Sequence, residues 1–264
     1  LSKRLRNEPL VEITQAKGTS ETHPFLSKND EWAGFEAVTN HPGEKILSNL
    51  TGSYVRDAYL QGLTLQDQGK PNPFNFGVIG SSDTHVAGGS YTEETHFSKI
   101  GLLDGEPYLR GSVPFDGIYG FLVKLWQPDS MIEIDEKNYL SFSSRLIRFG
   151  SSGLAGVWAE ENTRESIYNA FRRKETFGTS GPRIKVRFFA GYNFENSNLY
   201  DSNLIQEAYS KNTPMGGDLI KEKDKNPKFL VWAISDPLGA PLERIQIIKG
   251  WLAEGEQMEK VFDV

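Results

Sequence analysis

Two short apolar runs in the first third of the chain each break at glycine into small polar residues. The first, Val11-Glu12-Ile13, leads into Lys17-Gly18-Thr19, and the second, residues 76–80, leads into Ser81-Ser82-Asp83. Runs of this kind are typical of buried parallel strands, whose carboxyl ends carry functional side chains. The pattern predicts two parallel strands that end in polar loops.

A helical stripe lies between these two predicted strands. Tyr54, Val55, Ala58 and Tyr59 are spaced at i, i+1, i+4 and i+5 within residues 51–65, and this spacing predicts one amphipathic helix. Parallel strands need a crossover connection, which is usually helical. The order strand, helix, strand therefore predicts an α/β arrangement.

Two further helices are predicted from their capping residues. One begins at Asn29-Asp30-Glu31 and continues into three apolar residues, Trp32, Phe35 and Val38. The other is capped by Asn162 and has Glu165 at its third position, which completes a capping box. This second helix should run from residue 163 to about residue 177, because Gly178 is a typical helix stop.

The predicted secondary structure changes after residue 183 from mixed helices and strands to strands alone. Residues 184–188 alternate apolar and polar side chains, which indicates a half-solvated strand. Further strands are predicted at residues 229–234, 244–248 and 258–261. We therefore expect an α/β part at residues 1–183 and a small, mainly antiparallel β unit at residues 184–264. Residues 86–150 have weak patterning, and a long insertion of this kind serves as a lid or a binding loop.

Composition narrows the class of protein without naming a function. The 264 residues, 38% hydrophobic and 24% charged, fit an ordinary soluble globular protein. A net charge of −6 argues against a nucleic-acid partner, and no apolar run approaches the roughly 18 residues of a membrane span. The absence of cysteine excludes disulfides and thiolate metal ligands, and is compatible with both cytosol and periplasm.

The loops after the two predicted strands carry side chains of the metal-ligand type. Asp83 and His85 are spaced i, i+2, so in an extended backbone both point to one side and can share an ion. His23 also follows a break from glycine to small polar residues, and Glu21 precedes it. Two such loops indicate a divalent-metal site. The competing interpretation is that these residues cap turns or bind loop backbone groups.

Five sequence strings between Lys17 and Trp251 carry a family resemblance. They are KGTSETHP, FGVIGSSDTH, GLAGVWAEENTRESIYNAFRRKETFGTSGPRI, PMGGDL and DPLGAPLERIQIIKGW. Through them nearly the whole chain resembles the uncharacterised bacterial domain-of-unknown-function family 3604. That family is similar in turn to the polymerase-and-histidinol-phosphatase (PHP) superfamily of distorted β/α barrels, which hold divalent ions for phosphoester hydrolysis. The resemblance implies the carboxyl-terminal part of such a barrel in residues 1–183.

The resemblance implies metal-ligand roles for four residues. Asp83 and His85 resemble the late Asp-x-His motif of the superfamily. Glu12 resembles its metal-bridging glutamate at a strand end, and His23 resembles its mid-barrel histidine. The opening His-x-His motif of the superfamily has no counterpart, since no two histidines are two apart. We therefore expect this chain to be the carboxyl-terminal portion of a longer protein, or to associate with a second copy that covers exposed strand edges.

The activity implied is metal-dependent hydrolysis of an ester substrate, of phosphoester type. A bound Zn, Mn or Fe ion lowers the pKa of its water from 15.7 towards about 7 and so supplies hydroxide at neutral pH. Stabilising an anion needs a cation that faces the same cavity. The candidates are Lys17, beside the first motif, and Arg164, at the amino end of the second capped helix. A surface salt bridge with a neighbouring glutamate, Glu160 or Glu161, is the simpler role for Arg164.

Two other classes remain open from the residues alone. A carbohydrate-active hydrolase would use a pair of carboxylates, together with tryptophans that stack on sugar rings. Its candidates are Glu12, Glu21, Asp83, Glu160 and Glu161, with Trp32, Trp126 and Trp158. A non-catalytic binding protein on a barrel scaffold without metals is the third alternative.

Overall fold

The computed structural model describes residues 2–37, 50–85, 108, 113–140, 153–192, 194 and 200–264. Over these residues the chain forms sheets of two or three strands with helices between them. This mixture agrees with the expected α/β class. The strands of the described part do not close into a barrel, and the PHP-like barrel stays a prediction.

The first part of the chain contains the predicted parallel pair. Its elements are α1 (Ser2–Asn7), β1 (Leu10–Gln15), β2 (Gly18–Thr19), α2 (Val55–Asp67) and β3 (Gly77–Gly80). β1 pairs with β3 in parallel and with β2 in antiparallel orientation. Helix α2 lies in the connection between the parallel strands, so the predicted order of strand, helix and strand is confirmed.

The first of the two capped helices is not formed. Residues 31–36 lie in turns, and Val38 is outside the described residues. The side chain of Asp30 accounts for this difference, because its Oδ1 accepts a hydrogen bond from the amide of Trp32 at 2.9 Å and its Oδ2 accepts one from Arg56 at 2.6 Å. An aspartate that bonds the backbone two residues on stabilises a turn in place of a helix.

Part of the insertion at residues 86–150 is described. Residues 113–140 contain α3 (Ile118–Trp126) and a hairpin of β4 (Met131–Ile134) and β5 (Lys137–Leu140). The apolar side chains of α3 are largely exposed, Ile118 by 78% and Trp126 by 82%. The role of the insertion as a lid or a binding loop stays a prediction. No helix in the described ranges is both long and apolar enough to cross a membrane.

The second capped helix is present with different bounds. It connects the strands of a hairpin, in the order β6 (Leu154–Val157), α4 (Arg164–Arg172) and β7 (Thr176–Thr179). Thr163 caps it instead of Asn162, since the Thr163 hydroxyl accepts a hydrogen bond from the amide of Ser166 at 3.3 Å. Glu165 consequently lies at the second helical position, and the predicted capping box is wrong.

Helix α4 also ends earlier than predicted. Lys174 adopts a left-handed conformation with φ of 63°, and the chain enters β7 at Thr176, opposite Val157. Gly178 is therefore a strand residue. Close packing explains the glycine, because a Cβ there would lie 2.5 Å from the amide nitrogen of Gly80 in β3.

Glycines bring the backbone of the β6–β7 unit against β3 and the residue that follows it. A Cβ on Gly80 would lie 2.7 Å from the carbonyl oxygen of Thr179, and a Cβ on Gly153 would lie 2.7 Å from the amide nitrogen of Ser81. Gly153 instead donates a backbone hydrogen bond to Ser81 at 2.8 Å. The β6–β7 unit therefore holds the start of the loop that carries Asp83.

The last part of the chain is antiparallel, as predicted. Its elements are β8 (Lys185–Gly191), α5 (Leu204–Lys211), β9 (Thr213–Pro214), β10 (Lys228–Ile234), β11 (Gln246–Ala253) and β12 (Glu256–Asp263). The strands pair in the order β10-β8-β9, with β11–β12 as a separate hairpin. Phe189, Ala208 and Leu230 form a small buried core between β8, α5 and β10.

The β11–β12 hairpin packs on helix α2. Gln257 donates a side-chain hydrogen bond to the hydroxyl of Thr64 at 2.9 Å. Arg56 of α2 forms an ion pair with Glu259 at 3.7 Å. The end of the chain therefore covers the helix that connects the two parallel strands.

Candidate metal centre

Glu12 of β1 and Ser81, the first residue after β3, point to the same face of the parallel pair. Glu12 lies opposite Ile79 in the register, and alternate side chains of a strand share a face, so Ser81 lies on the face of Ile79. The Ser81 hydroxyl donates a hydrogen bond to Oε2 of Glu12 at 2.5 Å. The carboxyl ends of β1 and β3 thus bring Glu12 beside the loop that carries Asp83 and His85.

Both carboxylate oxygens of Glu12 are hydrogen-bonded. Oε1 accepts from the side-chain amide of Gln15 at 2.8 Å, and Oε2 accepts from Ser81. The register of β1 against β3 shifts between Glu12 and Thr14, an irregularity of the kind that re-aims side chains at the end of a sheet. The carboxylate is therefore held in one orientation, as an oxygen ligand of a metal must be.

Asp83 and His85 lie close to each other beyond β3. The imidazole Nε2 of His85 is 3.8 Å from Oδ1 of Asp83, and their side chains are 44% and 19% exposed. The backbone differs from the extended conformation that we predict from the sequence, since Asp83 has φ of 57°. The amide of Asp83 donates to the Ser81 hydroxyl at 3.4 Å, so Ser81 touches both the Glu12 carboxylate and the backbone of Asp83.

His23 is held by aromatic neighbours after β2. Its ring centroid lies 5.2 Å from that of Phe25 and 5.6 Å from that of Tyr54. Its Nδ1 accepts a hydrogen bond from the amide of Phe25 at 3.2 Å. A neutral imidazole that accepts at Nδ1 carries its proton on Nε2, so neither nitrogen offers a lone pair to an ion in this arrangement. The ligand role of His23 stays a prediction and requires this hydrogen bond to open.

The donor types fit a divalent ion, but the set is incomplete as it stands. Carboxylate oxygen and imidazole nitrogen suit Zn, Mn and Fe. Glu12 and the backbone of Asp83 contact Ser81, and His85 contacts Asp83, yet within the described ranges no three histidine or acidic side chains come close enough together to hold one ion. Each carboxylate oxygen of Glu12 accepts one hydrogen bond and keeps a second lone pair, so it can be oriented by Ser81 or Gln15 and still bind an ion.

The two candidate cations, Lys17 and Arg164, differ in how far they are exposed to solvent. Lys17 is half-buried in the turn that joins β1 to β2, beside the strand that carries Glu12. Arg164 is exposed at the first position of α4. Glu160 forms its ion pair with Arg173 at 2.9 Å. The catalytic roles of Lys17 and Arg164 stay predictions.

A polar network around the buried carboxylate of Glu175 connects the residue before β7 with α5, and it has no signal in the sequence. The carboxylate of Glu175, 4% exposed, accepts hydrogen bonds from the hydroxyl of Tyr209 and, at 2.9 Å, from Arg173. Arg187 donates to the Tyr209 hydroxyl at 2.6 Å. Burial and the contact with Glu175 raise the pKa of Tyr209 well above its ordinary value. The residues are too far apart in the chain for a local pattern to reveal the network.

The side chain of Trp158 makes its contacts with other residues of the protein. The Arg187 guanidinium stacks over its ring, 3.5 Å from the centroid, and the indole nitrogen donates to the carbonyl oxygen of Val186 at 2.8 Å. The ring of Trp232 meets Trp158 edge-on at 6.2 Å. One face of Trp158 is therefore covered by Arg187 and is closed to a sugar ring.

Comparison with protein families matches residues 1–264 to one family, described as Protein of unknown function (DUF3604). No curated protein and no solved structure matches the chain. The match confirms the family predicted from the sequence strings and extends it over the full length given. It supplies no activity, so the function has to be argued from the site.

Proposed function

The chain belongs to this family of proteins of unknown function, and we propose that it is a metal-dependent hydrolase of phosphoester type, distantly similar to the PHP superfamily. One observation carries the proposal. At the carboxyl ends of two parallel strands, the Ser81 hydroxyl donates to the Glu12 carboxylate and accepts from the amide of Asp83, whose carboxylate lies 3.8 Å from His85. Functional side chains in β/α folds concentrate at this end of parallel strands.

In this proposal Glu12, Asp83 and His85 hold the ion, with His23 as a further ligand. A divalent ion bound there supplies a water of lowered pKa and polarises the oxygens of the ester. Ser81 and Gln15 orient the Glu12 carboxylate by their hydrogen bonds. Such orienting partners raise metal affinity because they remove alternative rotamers of the ligand.

Lys17 is the cation proposed to face the substrate anion. It lies two residues after the end of β1, in the tight turn to β2, at the carboxyl end of the strand that carries Glu12. A cation near a developing negative charge lowers the barrier electrostatically. Arg164, at the amino end of α4, is the second candidate for this role.

The proposal is tested by metal binding and hydrolysis on the same protein. After dialysis against Zn²⁺, Mn²⁺ or Fe²⁺ in turn, elemental analysis should find stoichiometric metal, and hydrolysis of p-nitrophenyl phosphate should depend on it. Glu12→Gln and Asp83→Asn should each weaken metal binding at least about tenfold, since each removes a charged ligand. Asp67→Asn, an exposed aspartate at the end of α2, is the matched control.

Two outcomes would contradict the proposal. One is metal binding that neither Glu12→Gln nor Asp83→Asn changes. The other is a protein that takes up no metal and hydrolyses a glycoside substrate, which would favour the carboxylate-pair alternative.

A further inference from the structure

A cavity of about 370 Å³ lies between helix α2 and the β11–β12 hairpin. Val78 of β3 forms part of its floor. Val78 precedes Ile79, the register partner of Glu12, and neighbouring residues of a strand face opposite ways. The cavity therefore lies on the other face of the parallel pair from Glu12 and is a site separate from the candidate metal centre.

The walls of the cavity are mainly apolar. Helix α2 supplies Leu60 and Leu63, the hairpin supplies Ile248, and β1 supplies Ile13. A volume of this size with an apolar lining and a few convergent polar groups is the usual form of a small-molecule site. The body of a ligand that fits here is consequently apolar.

Three charged side chains, of Glu21, Arg56 and Glu259, belong to the cavity lining. Arg56 donates to Glu21 through Nε at 3.0 Å and through Nη2 at 2.6 Å, and to Asp30 through Nη1 at 2.6 Å. Burial would lower the pKa of Arg56, but its carboxylate partners outweigh this effect and raise the pKa. All three nitrogens of the guanidinium thus donate to carboxylates, which leaves Arg56 poorly placed to bind a ligand anion.

Glu259 is the third carboxylate that faces Arg56. It is 3.7 Å from Arg56, beyond hydrogen-bond distance, and its side chain is only 19% exposed. One guanidinium faces three carboxylates, of Glu21, Asp30 and Glu259, which leaves a local charge of −2 when all are ionised. A partly buried carboxylate gains most from a partner that is both positively charged and a hydrogen-bond donor.

We propose that this cavity binds a small molecule that joins an apolar body to one protonated amine, with the apolar body between α2 and β11 and the ammonium group against Glu259. The inference does not rest on the metal-dependent activity, because it uses the opposite face of the parallel pair. Both walls are present in the protein as it stands, so no closure is required.

The first test compares ligands that differ only at the polar end. Isothermal titration calorimetry is run with 2-phenylethylamine, hexylamine and cyclohexylmethylamine, and with 2-phenylethanol and 3-phenylpropanoate as the neutral and anionic counterparts. We expect saturable binding of at least one amine, about tenfold or more tighter than its counterparts, which is the worth of one charge-assisted hydrogen bond. No saturable amine binding, or equal affinity for phenylethylamine, phenylethanol and phenylpropanoate, would overturn the proposal.

The second test locates the binding position of the ligand. Leu63→Trp should fill the cavity and abolish binding, whereas Leu65→Trp, on the same helix but outside the lining, should not. Glu259→Gln should weaken amine binding about tenfold and leave phenylethanol unchanged. Glu256→Gln, an exposed glutamate of the same strand, is its control. Circular dichroism checks that each variant is folded, and amine binding that survives Glu259→Gln unchanged would contradict the assignment.

Discussion

The hydroxyl of Ser81 lies 2.5 Å from a carboxylate oxygen of Glu12, although 69 residues separate the two in the chain. The contact joins the ends of β1 and β3 and links the Glu12 carboxylate to the loop of Asp83. Ser81 is therefore a positioning residue for the proposed centre.

Replacing Ser81 by alanine should weaken metal binding about 10–100-fold, the usual effect of removing a group that orients a metal ligand. The change should cost only about 1 kcal/mol of folding stability, because Glu12 keeps its hydrogen bond from Gln15. Calorimetric titration with Zn²⁺ measures the first effect and urea unfolding the second. Ser82→Ala is the control, since the Ser82 hydroxyl bonds Thr84 instead. Equal zinc affinity in the two variants would remove Ser81 from the site.

Thr163→Ala should destabilise the protein by about 1 kcal/mol, because the first turn of α4 loses the hydroxyl that accepts from the amide of Ser166. Asn162→Ala should have little effect, since Asn162 lies one residue outside the cap. Urea unfolding of the two single variants distinguishes these positions. A larger loss in Asn162→Ala would mean that the helix begins one residue earlier.

Arg56→Met should cost about 3–5 kcal/mol, since it leaves the carboxylate of Asp30 buried without its cation. The Arg56 and Asp30 side chains are 14% and 3% exposed, and their atoms are 2.6 Å apart. Arg244→Met is the matched control, because Arg244 pairs with Glu31 and Glu243 at a site where its own side chain is 37% exposed, and exposed pairs contribute little to stability. Chemical denaturation at neutral pH measures both variants, and a similar small loss in each would contradict the prediction.

Burial raises the pKa of Tyr59 from 10.0 to about 12, so the folded state keeps this proton where the unfolded state releases it. The resulting stabilisation is complete below pH 10 and is lost as the pH rises towards 12. Between pH 10 and 12 the free energy of unfolding of Tyr59→Phe should therefore fall by about 2–3 kcal/mol less than that of the wild type. Urea unfolding as a function of pH measures it. Identical profiles for Tyr59→Phe and the wild type would show that folding does not protect the Tyr59 proton.

Elements that follow from a local pattern could be predicted from the sequence. β1 and β3 are apolar runs between breaks, and the alternation in residues 184–188 identifies β8. The local pattern assigns residues 176–177 to the end of a helix, because Gly178 resembles a helix stop, whereas they belong to strand β7. Gly178 is needed because its backbone packs against Gly80, about 100 residues earlier in the chain. A local residue pattern contains no information about a contact between such distant residues.

The same limit applies to the polar clusters. Asp83 and His85 could be singled out because both lie in one short loop next to a strand. Glu175 and Tyr209 are 34 residues apart, and Glu175 directly follows a basic stretch that favours a solvated helix face. Asp30 resembles a helix start in the local sequence, because its partner, Arg56, lies 26 residues away and leaves no local signal. Tertiary contacts override the local preference at each of these positions.

The close approach of Gly178 to Gly80 bears on how the protein is made. The ribosome completes the loop of Ser81, Asp83 and His85 before it has synthesised the strands that pack against it. Gly153, which donates to the carbonyl of Ser81, follows about 70 residues later, or several seconds at about 5–20 residues per second. During that interval the nascent chain displays its early acidic and imidazole side chains without the backbone that fixes them. The residues of the proposed metal centre are therefore synthesised before the β6–β7 unit that holds their loop in place.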